Sequence, residues 1–153
     1  MRTNVRAASQ FTLPQFFESL GALLRVASVL LSLYWVTIFV GTHLPSSAVP
    51  RLHLSDKVFH VGAFAGLAFL LAWAIPKTIR GMTHHFLIVA AIGCGYAILD
   101  EWTQLFVPGR VSDLYDCIAD FIGVALGFAV YVVLRWTCQR INILQRLVLA
   151  LSR

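Results

Sequence analysis

Two long stretches without a single Asp, Glu, Lys or Arg, residues 82–99 and 121–134, constrain this chain more than any other feature. Residues 99–123, between and overlapping them, hold five of the seven acidic residues. A helix that crosses a bilayer needs about 20 mostly apolar residues to span roughly 30 Å of hydrocarbon. At about 1.5 Å per residue, the uncharged run 121–134 reaches only ~21 Å. A crossing there must draw in Asp120 or Arg135, and the same arithmetic after His85 draws in Asp100 and Glu101. Carboxylates at that depth are costly and need partners, so function is sought among them.

Composition narrows the class. With 59% hydrophobic and 12% charged residues, 153 residues read as one integral membrane domain. The net charge of +5 comes from scattered basic residues with no aromatic-interleaved patch, which excludes a nucleic-acid partner. Cys94, Cys117 and Cys138 show no metal-ligand spacing, and the expected topology keeps them too far apart for a disulfide. Arg2, Arg6 and Arg25 precede a long apolar run with no small-residue cleavage motif after it. An uncleaved first transmembrane helix is therefore expected rather than a signal peptide.

The expected fold is an all-α integral membrane protein, a four-transmembrane-helix bundle with amphipathic N- and C-terminal surface helices. Residues 1–22 form the N-terminal segment, with an apolar stripe at Leu13, Phe16, Phe17 and Leu20 and Pro14 tolerated in the first turn. Residues 23–136 form the transmembrane body, with spans near 23–43, 56–75, 83–107 and 113–136. Ser55 offers a cap to the second span, Pro108-Gly109 stops the third, and Arg135-Trp136 anchors the fourth. Residues 137–153 form a C-terminal amphipathic tail. Small residues four apart, Gly62/Gly66 and Gly123/Gly127, permit close helix approach.

Orientation follows from the basic residues. Nine of them (Arg2, Arg6, Arg25, Lys77, Arg80, Arg135, Arg140, Arg146 and Arg153) fall on one side, and only Arg51, Lys57 and Arg110 on the other. The positive-inside rule then places both termini in the cytoplasm of a bacterial inner membrane protein. Four spans also bring the start of the second helix, the end of the third and the start of the fourth to one level. Lys57 and His60 thereby meet Glu101, Gln104, Arg110, Asp116 and Asp120. Ala90, Cys94 and Ala97 lead up one face of the third helix to Glu101, so that face meets protein rather than lipid.

Simpler roles compete for several of these residues. Asp113 and Asp116 have the spacing of a helix start, Asp56 suits a cap, and Lys57 can snorkel to the headgroups. Asp100 sits about 100° around the helix from Glu101 and is expected to turn outwards. Trp102, His84 and His85 read as interfacial. Asp120, Glu101 and His60 lie too deep for such roles. They form either a satisfied network that fixes helix packing or a site.

At these residues the chain resembles the VanZ-like membrane proteins. Asp56-Lys57-x-x-His60, Glu101-x-x-Gln104, Pro108-Gly109-Arg110 and Asp116-x-x-x-Asp120-x-x-Gly123 follow that family's order and spacing over about residues 43–130. The family often has Asn at the position of Asp120, so a further charge is present here. The resemblance implies an envelope membrane protein and an association with teicoplanin-type glycopeptide resistance, with no settled mechanism.

The leading expectation is action at the outer membrane–water interface on a lipid-linked or cell-wall precursor of anionic character. Lys57, Gln104, Arg110 and Asp116 would bind it. Glu101 and His60 would exchange a proton, with Asp120 or Asp116 holding the imidazole tautomer. The alternative is a non-catalytic interaction module whose polar cluster is structural. Transport is disfavoured because the polar residues cluster at one end. A metal site from His60, Glu101 and Asp116 is set aside because it has a single histidine, so no metal or cofactor is expected.

Overall fold

A computed structural model describes residues 13–45, 56–77 and 81–151, with side chains within 26–45, 56–77 and 81–142. Ser55, Arg51, Arg80 and the side chains of the N-terminal apolar stripe lie outside what it describes. The chain is all-helical: α1 (Leu13–Thr42), α2 (Asp56–Ala74), α3 (Gly81–Gln104) and α4 (Leu114–Leu151). Among the described residues, α2, α3 and the Leu114–Asn142 part of α4 are long and apolar enough to cross a membrane. The described apolar part of α1, Val26–Thr42, is shorter, although α1 as a whole runs 30 residues.

The segments read as separate surface helices are continuous with their neighbours. α1 enters its apolar part from Leu13 without a break, and α4 runs past Arg135 and Trp136 to Leu151 over 38 residues. The backbone offers no reason to stop. No proline lies between Pro14 and Pro45, and residues 128–151 contain neither proline nor glycine.

α2 sits at the centre. It packs most extensively on α4 and also touches α1 and α3. The core joins Ile38 of α1, Phe64, Leu67, Ala68 and Leu71 of α2, Val89 and Ala97 of α3, and Val124 and Phe128 of α4. Lipid is as apolar as these side chains, so close approach and dispersion hold the helices together. Gly123 and Gly127 allow it. A Cβ on Gly127 would lie 2.0 Å from the Ala65 carbonyl oxygen, and one on Gly123 would lie 2.5 Å from that of Val61. Gly66 instead receives the Tyr34 ring of α1, whose hydroxyl donates to the Ala63 carbonyl at 3.1 Å. Gly62 has open space beside it and takes no part in close approach. Val29, Leu33, Val36 and Val40 of α1 and Val130 and Val133 of α4 are exposed, which suits a lipid-facing surface.

The link from α3 to α4 turns sharply. Arg110 N–H donates to the Val107 carbonyl at 3.1 Å, with Pro108 second and Gly109 third, and Gly109 has φ +77°. That is the arrangement a type II turn requires, and it points the chain back towards the end of α1.

A polar cluster at one end of the bundle

The cluster starts from the first two turns of α2. Lys57 Nζ donates to Asp113 Oδ2 at 2.6 Å and also to Asp116 Oδ1. Asp113 is also the cap of α4, its Oδ1 accepting the Tyr115 N–H at 2.8 Å. The Lys57 ammonium, followed by the Tyr115 N–H, holds the Asp113 carboxyl below its usual value. One turn deeper, His60 is buried, with Nδ1 2.9 Å from Asp120 Oδ1 and Nε2 3.9 Å from Asp116 Oδ2. α4 places Asp116 and Asp120 on one face, one turn apart, so a single imidazole lies between them. Glu101 reaches in from α3, and its Oε2 accepts the Asp113 N–H at 3.0 Å. Glu101 Oε1 and Asp120 Oδ2 are buried without a hydrogen-bond partner among the described residues.

His60, Glu101, Asp116 and Asp120 thus come together with Lys57, as four spans require. The remaining two expected residues have other partners. Gln104 is buried but donates through Nε2 to Asp100 Oδ2 at 2.7 Å rather than joining Glu101. Arg110 pairs with no carboxylate among the described residues. Its Nε donates to the Leu44 carbonyl at 3.2 Å and one terminal nitrogen to that of Gly41 at 3.4 Å. It therefore caps the negative end of α1, where a cation is favoured.

Asp100 departs from expectation. It is only 1% exposed, not turned outwards. Thr42 Oγ1 donates to its Oδ1 at 2.9 Å, as does the Tyr96 hydroxyl at 3.3 Å, while Gln104 occupies Oδ2. His43 extends this second network through Thr103, with His43 Nε2 3.0 Å from its hydroxyl. Both carboxylates of α3 are buried because its end is covered on two sides: α1 reaches Asp100, and the chain entering α4 reaches Glu101. The i, i+4 series Tyr96, Asp100, Gln104 was the available sequence signal. His85 is likewise 1% exposed rather than interfacial, edge-on to Phe128 and Tyr131 at 5.7 and 5.6 Å between ring centres. The Ile75 backbone lies near its ring, but neither ring nitrogen has a partner in hydrogen-bond geometry among the described residues. Trp102 is exposed beside Phe106, as an interfacial anchor would be.

A shallow cleft of about 280 Å³ opens between α3 and α4 at this end. Ile98, Trp102, Leu105 and Leu114 give it apolar walls, and Glu101, Ser112 and Asp113 form its polar edge. Of the buried acids, Glu101 lines it.

Comparison with known proteins reaches the same body of the chain. The VanZ/LLP1 family model matches residues 9–135, which takes in much of the N-terminal segment, α1 to α3 and the first part of α4. An uncharacterized protein of Schizosaccharomyces pombe is 25% identical over 96 residues, covering 63% of this chain and 58% of its own length. The chain thus spans somewhat more than half of that relative. No solved structure matches.

Proposed function

Because the chain belongs to the VanZ/LLP1 family, we propose that it is a multi-pass envelope membrane protein that binds an anionic, lipid-linked ligand at the membrane–water interface. The observation that carries this reading is the cleft, apolar along Ile98, Trp102 and Leu105 and polar where it meets Glu101 and Asp113. A lipid tail suits the first part and a hydrophilic head the second. Arg110 lies at the same end of the bundle, turned towards the end of α1, and keeps a positive charge that its carbonyl partners do not neutralise. Lys57 has a third N–H beyond those given to Asp113 and Asp116. In a catalytic version, His60 and Glu101 exchange a proton with the ligand, and Asp120 orients the imidazole. The setting is a bacterial inner membrane with both termini inside, where such binding would alter susceptibility to teicoplanin-type glycopeptides.

The non-catalytic alternative also has its observation. Asp100 is fully served by Thr42, Tyr96 and Gln104, which is what a purely architectural polar network looks like.

Binding of polyprenyl phosphate to the protein in nanodiscs separates the two. Wild type is expected to bind it in preference to uncharged polyprenol, and Arg110→Gln to bind it roughly tenfold less, the loss of one charge-assisted contact. Equal affinity for the alcohol and the phosphate would overturn the proposal in favour of the architectural reading.

A further inference from the structure

We infer that His60, Glu101 and Asp120 form a binding site for a divalent transition-metal ion such as Mn²⁺ or Zn²⁺. One donor atom from each of the three lies within 4.8 Å of the others, and all three residues are buried. Ligands held at about 2.0–2.2 Å from a common ion stand roughly 3–4.4 Å apart, so a small contraction closes the set. The combination of one imidazole and two carboxylates is a donor set for Mn²⁺, Fe²⁺ or Zn²⁺ rather than for Ca²⁺ or Mg²⁺, which favour oxygen alone.

The second observation is independent of that spacing. Glu101 Oε1 and Asp120 Oδ2 are buried polar atoms with no hydrogen-bond partner among the described residues, and they belong to two of the three residues in the set. An orphaned carboxylate oxygen in a buried site is costly. His60 meets Asp120 through Oδ1 and leaves Oδ2 unserved, Lys57 is engaged by Asp113 and Asp116, Arg110 faces the carbonyls of α1, and His43 lies by Asp100. A dication balances the two carboxylates. The metal set weighed and set aside from the sequence had Asp116 as its third member, but Asp116 already accepts from Lys57, and Asp120 lies nearer the imidazole.

Glu101 also lines the cleft, so the ion would lie beside it and would offset the negative charge of Glu101 and Asp113 at its polar edge. The site does not require the ligand reading, and its test uses metal alone. Protein stripped of metal in detergent is titrated with Mn²⁺, with the unbound ion followed by electron paramagnetic resonance, and its thermal unfolding is recorded with and without Zn²⁺. Wild type is expected to bind one saturable Mn²⁺ per chain and to unfold at a higher temperature with Zn²⁺. Glu101→Gln and Asp120→Asn should each weaken Mn²⁺ binding by roughly 100-fold or more, beyond the loss that follows removal of a mere supporting residue. Without metal both should unfold no earlier than wild type, since each removes a buried carboxylate with an orphaned oxygen. Should Glu101→Gln fail to fold, Asp120→Asn carries the comparison.

Asp56→Asn should bind as wild type does. If it loses the ion instead, the site is the alternative group Asp56, His60 and Asp116, and the inference is overturned. Absence of saturable Mn²⁺ and Zn²⁺ binding to wild type overturns it outright. Mn²⁺ binding without polyprenyl phosphate binding leaves the ion site standing and removes the ligand proposal.

Discussion

Asp100 and Glu101 are adjacent in sequence, and both are buried, yet their surroundings differ. Asp100 accepts from Thr42, Tyr96 and Gln104, so three donors depend on one side chain. Its removal should act on the fold rather than on a ligand. Asp100→Ala is expected to lower the stability of the detergent-solubilised protein by about 1–3 kcal/mol, since the buried Gln104 amide and the half-buried Tyr96 hydroxyl lose their acceptor. Asp100→Asn keeps the shape and one good acceptor and should cost less than half as much. Thermal unfolding of the two variants beside wild type measures both. Equal stability of Asp100→Ala and wild type would show that the network contributes nothing to the fold. Glu101 has one oxygen served and one orphaned, so the same measurement on Glu101→Gln should show little loss.

Among the elements, α2 and α4 make the decisive contact. Gly127 and Gly123 let the α4 backbone lie against Ala65 and Val61 of α2, and this contact sets how far His60 stands from Asp120. Gly127→Ala places a methyl against a carbonyl oxygen that cannot swing aside, and is expected to cost about 1–3 kcal/mol. Gly62→Ala meets nothing within 4 Å and removes a flexible residue from a helix, for a gain of up to ~1 kcal/mol. Paired unfolding measurements should show opposite signs. Equal effects would mean that α2 and α4 do not approach as closely as Gly127 implies. From the sequence, the two glycine pairs looked equivalent, because spacing records which residues share a face and not which face meets a neighbour.

For the whole molecule, the distribution of basic residues bears on which side of the membrane carries the cluster. The nine-to-three distribution of basic residues predicts that it faces outwards. Val111 is 82% exposed at the cluster end, and Lys77 is exposed in the turn between α2 and α3. In a protein lacking its native cysteines, Val111→Cys should react with an impermeant thiol reagent applied to intact cells, and Lys77→Cys only after permeabilisation. The reverse pattern would place the cluster in the cytoplasm, and both reacting from outside would refute the bundle topology.

The four apolar segments, the approximate bounds of α2 and α3, and the shared level of Lys57, His60, Glu101, Asp116 and Asp120 were legible in the sequence. They follow from the length an apolar run needs and from the alternation that successive crossings impose. The same run lengths did not reveal that α1 and α4 continue beyond their apolar parts, because continuity depends on the absence of a breaker rather than on hydropathy. Partnership was decided only by the tertiary structure. Asp100 turned inward because α1 brings Thr42 to it, and Arg110 turned to α1 because the Val107–Arg110 turn aims it there. Asp120 rather than Asp116 holds the buried histidine because Lys57 already occupies Asp116. Charge and periodicity along one helix do not contain these choices, since each depends on which side chain a different helix delivers within about 3 Å.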